Sequence, residues 1–155
     1  MSRAFTKEDD AGDELPELPV SRGPNYVTPR GLELLKEAAR ELALRRASAK
    51  AAGEDMRAID RDFRYLEARI GTAVVVPPGS GVEARFGARV ALEDESGERR
   101  TFRIVGEDEA RTDPAALLAW SSPLAEALLG AKAGDSVSWK GSSRHIVISV
   151  DWEAK

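Results

Sequence analysis

The stretch FRIVGEDEA at residues 102–110 and the stretch SSPLAEALLG at residues 121–130 decide the fold of this chain. In the first stretch, apolar and polar side chains alternate before the run of acids, and this period of two predicts a β-strand. In the second, Ser122 has the side chain of a helix cap and Pro123 suits the first helical position, so a short helix should follow and end at Gly130. A strand followed by a short helix indicates a mixed α+β domain.

The remainder of residues 85–155 predicts a small antiparallel sheet around that strand. Alternating side chains mark strands at residues 89–93, 101–105, 137–140 and 145–152. Glu95-Ser96-Gly97 is a turn between the first two strands, and Gly141-Ser142 is a turn between the last two, so we expect two hairpins. Residues 114–118 are expected to form a helical turn. The predicted module is an antiparallel sheet with the helix of residues 123–129 packed on it.

Upstream, residues 25–76 predict two helices that pack side by side. Thr28 can cap a helix and Pro29 can begin it. Two apolar stripes with spacings of three and four follow, formed by Leu32, Leu35, Ala39 and Leu42 and by Met56, Ile59, Phe63, Leu66 and Ile70. Residues 51–55 are short enough to reverse the chain between them, and Gly71 is a suitable stop. We therefore expect an antiparallel two-helix coiled-coil hairpin.

The two ends of this hairpin are bounded by segments of different composition. Residues 1–24 are rich in proline and acids and poor in apolar side chains, which predicts a disordered acidic tail; its acids are Glu8, Asp9, Asp10, Asp13, Glu14 and Glu17. Such a tail is either a solvated leader or a group of acids that masks a basic surface on a partner. After the hairpin, the Pro- and Gly-rich residues 77–84 predict a linker to the domain of residues 85–155.

Composition excludes several classes of function. The 155 residues carry a formal net charge of −4, so the chain has no cationic field for binding duplex nucleic acid. The absence of cysteine excludes disulfides, thiolate nucleophiles and cysteine-ligated zinc. We find neither a secretory signal nor an apolar run that could span a membrane, so a cytoplasmic location is expected.

Five segments in this order resemble the GreA/GreB transcript-cleavage factors. They are Thr28, Gly31 and Leu32 of a T-x-x-G-L start, IDRDFRYL at residues 59–66, RFG at residues 85–87, FRIVGEDEA and SPLAEALLG. The resemblance implies an FKBP-like C-terminal domain that docks at the secondary channel of bacterial RNA polymerase and a coiled coil that projects down the pore. It also implies that the protein is not itself an enzyme, and that it contacts nucleic acid only through the polymerase.

The family resemblance also implies a chemistry for the turn between the two helices. In cleavage-competent members, two acids there help to hold the second Mg²⁺ of the polymerase active site. In this chain the stretch from Leu35 to Met56 is shorter by roughly twenty residues, about ten from each helix, which at about 1.5 Å per residue removes ~15 Å of reach. Glu54 and Asp55 stand at the turn, either as surrogate metal-coordinating acids or as stabilising charges at the start of the second helix.

The resemblance further implies a polymerase-binding surface, which we expect to consist of Ser121, Ser122, Pro123, Glu107, Asp108 and Glu109. Family members commonly carry an acid before Ser-Pro, and Ser121 replaces it here, so one charge-assisted contact is expected to be missing. The three acids are predicted to be exposed in a loop. The alternative is that Ser122 only caps the short helix and that the acids are only solvated.

The resemblance, together with the shortened helix pair, implies a regulator that binds RNA polymerase but, with a truncated coiled coil, does not fully stimulate transcript cleavage. We expect no cofactor on the chain itself and Mg²⁺ only in the context of the polymerase. One alternative is a cleavage cofactor that uses Glu54 and Asp55 to help hold Mg²⁺. Another is a short-coil interaction module similar to the nucleoside diphosphate kinase regulators.

Overall fold

The computed structural model describes residues 15–139 and 141–153. Residues 1–14 of the predicted tail and Lys140 of a predicted strand lie outside the described residues. The elements are β1 (Asn25–Val27), α1 (Pro29–Ala51), α2 (Arg57–Gly71), β2 (Ala73–Val75), β3 (Arg89–Glu93), β4 (Arg99–Val105), α3 (Glu107–Ala110), β5 (Leu117–Ala119), α4 (Pro123–Leu128), β6 (Ser136–Val137) and β7 (His145–Asp151).

Helix α1 begins where its capping residues predict. The hydroxyl of Thr28 accepts a hydrogen bond from the Gly31 N–H at 2.9 Å, and Pro29 follows at the first helical position. At the other end, Gly53 has a φ of 70°, and the N–H of Glu54 donates to the carbonyl of Ala49 at 2.9 Å. This left-handed glycine with a six-to-one hydrogen bond ends α1 and turns the chain toward α2.

Helices α1 and α2 lie side by side and run in opposite directions. Strand β1 precedes α1 and β2 follows α2, and the two strands pair with Asn25 opposite Ala73, so one end of each helix lies at this small sheet. Near the other end, Arg46 Nε donates to Asp60 Oδ1 at 2.6 Å, and its guanidinium lies 5.3 Å from the centroid of the Phe63 ring. The two predicted helices are therefore present, whereas the regular seam of a coiled coil stays a prediction.

The C-terminal sheet is mixed rather than antiparallel, which corrects the expected topology. Its strand order is β5-β4-β3-β7-β6, and all neighbours are antiparallel except β4 and β5, where Arg103 lies opposite Leu117 in parallel register. The predicted helical turn at residues 114–118 is present only in its first half, where the Leu117 N–H donates to the Asp113 carbonyl at 2.8 Å, because Leu117–Ala119 form β5. The physical reason is that α3 lies between β4 and β5 and carries the chain back to start a strand in the same direction.

The core of this body lies between the sheet and α4, as the sequence predicts. Strand residues Val90, Ile104 and Val147 are fully buried, and they share a cluster with Ala125 and Leu128 of α4. Alternate residues of the strands and one face of the helix supply these side chains, which explains the periodicities in the sequence.

The predicted linker at residues 77–84 is partly packed onto the body. Ala84 is fully buried, and its N–H donates to the carbonyl of Ala131 at 2.8 Å. Trp152 lies against Gly79 and donates from Nε1 to the Gly81 carbonyl at 2.9 Å. None of the helices in the described part of the chain combines the length and the apolarity that a bilayer crossing requires.

Candidate functional site

The three consecutive acids after β4 form α3, and they contact the base of the helix pair. The prediction that they are exposed in a loop is wrong for Glu109, which is 6% exposed, and the side chains of Glu107 and Asp108 are only 17% and 14% exposed. A buried carboxylate is costly unless it is hydrogen-bonded, and each of these acids has partners within the described chain. We call this contact between α3 and the base of α1 and α2 the junction.

Asp108 and Arg69 form the central ion pair of the junction. Arg69 Nε donates to Asp108 Oδ2 at 2.7 Å, and the arginine is 2% exposed. The hydroxyl of Tyr65 donates to the other carboxylate oxygen of Asp108. Burial raises the pKa of Tyr65, and its hydrogen bond with Asp108 raises the pKa further. The phenol therefore keeps its proton and remains a donor.

Glu109 connects α3 to the first turn of α1. Thr28 Oγ1 donates to Glu109 Oε2 at 2.6 Å while accepting the capping hydrogen bond from Gly31, so one hydroxyl serves both the helix start and the junction. A Cβ added at Gly31 would lie 2.7 Å from Glu109 Oε2. The glycine of the T-x-x-G-L start therefore leaves room for the carboxylate.

Backbone packing completes the junction. A Cβ added at Gly106, directly before α3, would lie 2.5 Å from the backbone oxygen of Tyr26 in β1. The ring of Tyr26 packs edge-on against Trp120 and Phe86, with centroids 5.0 and 6.2 Å apart. Asn25 Nδ2 donates to the Arg69 carbonyl at 2.7 Å. Thus segments that are separate in sequence meet at one place.

The predicted docking residues Ser121, Ser122 and Pro123 lie beside this junction. Ser122 caps α4 and accepts from the Ala125 N–H at 3.3 Å, and Pro123 begins the helix. Ser121 Oγ donates to Glu107 Oε1 at 2.8 Å. The structure thereby brings Ser121 together with one of the predicted acids, while Ser121 and Pro123 remain exposed.

Glu54 and Asp55 lie at the turn between α1 and α2, which we call the tip of the helix pair. This turn is at the end of α2 opposite the junction. Twelve helical residues, 57–68, lie between these acids and Arg69 of the junction, a rise of about 18 Å. Asp55 accepts hydrogen bonds from the Arg57 backbone N–H at 3.0 Å and from Arg57 Nη2 at 2.7 Å. These bonds lower the pKa of Asp55 to about 2. Glu54 is exposed beside it.

We find no group of three or more histidine, aspartate or glutamate side chains placed to hold a metal ion within residues 15–139 and 141–153. The two acids at the tip are therefore an incomplete ligand set within the described chain.

Comparison with known proteins places these features in a family. The family model described as "Transcription elongation factor, GreA/GreB, C-term" matches residues 79–151. A transcription elongation factor GreA from Desulfovibrio desulfuricans is 39% identical over 115 residues, which cover 71% of this chain and 70% of that protein. A transcription elongation factor GreB from Neisseria meningitidis is 35% identical over 136 residues, covering 73% and 83%. The chain belongs to the GreA/GreB family.

Other matches differ in how much they cover. A GreA from Verminephrobacter eiseniae is 38% identical over 101 residues, and the matched stretch spans 61% of this chain but only 63% of that protein. The solved structure of GreA factor homolog 1 (Gfh1) of Thermus thermophilus is 25% identical, with coverage of 83% of this chain and 99% of that one and a TM-score of 0.41. The family assignment rests on the sequence matches.

In this GreA/GreB family member, the family model covers α3 and α4 but not α1 or α2. The junction therefore connects the matched body to the helix pair outside it. Sequence reasoning missed Arg69 and Asn25 as parts of the junction. The available signal for Arg69 was its place next to Ile70 in the apolar stripe, where a buried arginine requires a buried acid.

Proposed function

We propose that this GreA/GreB family member is a cytoplasmic regulator of transcription elongation that binds bacterial RNA polymerase at its secondary channel. Membership of a family whose matched relatives are named transcription elongation factors supports the partner. The observation that carries the proposal is the exposed surface of Ser121 and Pro123 beside α3, because its residues belong to the segments that resemble the family.

The docking surface divides into contacting and supporting residues. Ser121, Ser122 and Pro123 are proposed to contact the polymerase, together with Glu107, whose carboxylate holds Ser121. Asp108 and Glu109 are proposed to act indirectly, because their carboxylates are occupied by Arg69 and Thr28. Their role is then to fix the helix pair relative to the docked body.

We further propose that the protein is not an enzyme and that its short helix pair does not bring a working pair of acids to the polymerase active site. The hydrogen bonds of Asp55 support this proposal, because both of its carboxylate oxygens already accept hydrogen bonds from Arg57. The chain is proposed to bind no cofactor itself, and Mg²⁺ enters only as part of the polymerase. Docking alone would then alter pausing or exclude other factors from the channel.

The binding test compares the purified protein with Ser122→Ala/Pro123→Ala on core RNA polymerase. We expect the double variant to bind about tenfold more weakly, which corresponds to about 1.4 kcal/mol. Ser143→Ala/Pro78→Ala is the matched control, since it makes the same changes at exposed positions away from α4. Unchanged binding of the docking variant, with a melting temperature that shows it folded, would contradict the proposal.

The competing function is a cleavage cofactor, and one observation favours it: Glu54 and Asp55 are both exposed at the tip. On stalled elongation complexes this function predicts Mg²⁺-dependent shortening of the transcript that is lost in Glu54→Ala/Asp55→Ala. Our proposal expects the same low level of shortening with and without the wild-type protein.

A further inference from the structure

Residues 15–24 run along the helix pair, from Leu15 near the start of α2 to Pro24 just before β1. They join β1 at the base through Asn25. Leu18 lines a hollow between the two helices together with Leu42, Tyr65 and Leu66, and Leu15 lines another hollow together with Arg57, Asp60 and Arg64 near the start of α2. The segment that we expected to be part of a disordered tail therefore lies on α1 and α2.

Two side chains hold this segment to the helices. Glu17 forms a forked ion pair with Arg64, in which Oε1 is 2.5 Å from Nη2 and 3.2 Å from Nε. The hydrogen bonds from Arg64 favour the charged carboxylate and lower the pKa of Glu17. Leu18 is half-buried at the wall of its hollow. The segment thus presents a carboxylate and an apolar side chain to α1 and α2.

The attachment is light. Residues 15–24 contain no helix or strand, and Leu15 and Val20 remain 39% and 50% exposed. A segment with exposed backbone and few buried side chains opens at low free-energy cost compared with the core. It can therefore leave the helices without unfolding them.

We propose that residues 15–18 form a strap that covers an interaction surface on the helix pair and that RNA polymerase must displace when it takes up α1 and α2. The helix surface next to the strap includes the apolar side chains of Ala38, Leu42 and Leu66 and the cations Arg45 and Arg64. The strap supplies a carboxylate and a leucine, so the displacing surface of the polymerase should also combine acidic and apolar groups. This inference rests on the proposed function.

The strap is tested first without polymerase. Since the chain has no cysteine, Leu18→Cys and Val20→Cys each introduce one thiol whose alkylation rate reports its exposure. We expect the thiol at position 18 to react more slowly than that at position 20, and Glu17→Lys to remove the difference. Equal rates in the protein with native Glu17 would overturn the inference.

The second arm measures binding to core polymerase. A strap that must open lowers the apparent affinity by the fraction of open molecules, so Glu17→Lys/Leu18→Ser should bind about three- to tenfold more tightly than wild type. The matched control is Glu95→Lys/Val20→Ser, which makes the same charge change and a similar replacement of an apolar side chain by serine at residues outside both hollows. It should bind like wild type.

The outcomes separate the two proposals. If both double variants and the wild type bind with equal affinity, the strap inference is overturned while the proposed function stands. If neither the wild type nor Glu17→Lys/Leu18→Ser binds polymerase, the proposed function fails, whatever the alkylation rates show. If both double variants tighten binding equally, net charge rather than the strap explains the gain, and the inference also fails.

Discussion

At the scale of the residue, the junction depends on side chains whose partners are distant in sequence. Arg69 meets Asp108 across 39 positions, and Thr28 meets Glu109 across 81. Both carboxylates lie in a motif that identifies the family by sequence, yet within the chain they bond to the helix pair. The motif therefore has a structural role here, in addition to any role toward a partner.

Arg69→Met should destabilise the fold strongly. The substitution keeps much of the side-chain volume but removes the 2.7 Å ion pair of Asp108, whose side chain is 14% exposed and whose other cation, Arg111, lies 3.8 Å away. Breaking one side of a buried pair costs about 3–5 kcal/mol. Chemical denaturation should show this loss, whereas Arg100→Met, with a side chain 70% exposed, should change stability by less than about 0.5 kcal/mol. Equal effects would contradict the assigned role of the junction.

Asp55 should titrate at about 2, well below its ordinary 3.8. Because the folded pKa is depressed, the contribution of Asp55 to stability is present above pH ~4 and is lost as the pH falls toward 2. The carboxylate is fully exposed, so solvent screening keeps this contribution small. Carboxyl chemical shifts measured against pH should report the value, and Arg57→Ala should return it toward 3.8. An unchanged titration in that variant would show that Arg57 is not the cause.

At the scale of the element, glycine decides how closely β1 approaches α3. Gly106 leaves room for the Tyr26 backbone oxygen, and neither backbone segment can yield as a flexible side chain would. This contact seats the small β1–β2 sheet, and with it the base of both helices, on the body. The approach is a property of two elements, not of either sequence segment alone.

Gly106→Ala should therefore destabilise the protein by about 1–3 kcal/mol, as overpacking does in other well-packed sites. Gly71→Ala is the matched control, since a Cβ there meets nothing within 4 Å and its φ is not in the left-handed region. We expect the control to be neutral or slightly stabilising. Thermal unfolding of both variants measures the difference, and a Gly106→Ala variant as stable as Gly71→Ala would refute the close approach.

At the scale of the whole molecule, the junction fixes the direction of the helix pair relative to the body that carries Ser121–Pro123. A docked body can deliver the helices to a defined place only if this joint is rigid. The ion pair, the shared Thr28 hydroxyl and the aromatic contacts of Tyr26 all act at this joint.

The isosteric change Asp108→Asn/Glu109→Gln should loosen the joint without removing volume. Spin labels at Ala52→Cys and Ser143→Cys would measure the distance between tip and body, since the chain has no other thiol. We expect a broader distance distribution in the junction variant than in the native background. Glu95→Gln/Glu98→Gln, two exposed acids of the β3–β4 turn, should leave the distribution unchanged. A similar width in all three would mean that the charges do not hold the joint.

Local chemistry by itself determined where α1 and α4 begin. Thr28-Pro29 and Ser122-Pro123 act on backbone N–H groups within three residues, and the apolar stripes repeat within two helical turns, so both signals can be read without the fold. Only the tertiary structure decided that Glu109 is buried, that β5 pairs in parallel with β4, and that residues 15–18 lie on the helices. Those outcomes depend on contacts between distant segments. The residues next to an acid in the sequence do not show whether its carboxylate will bond to an arginine or to water.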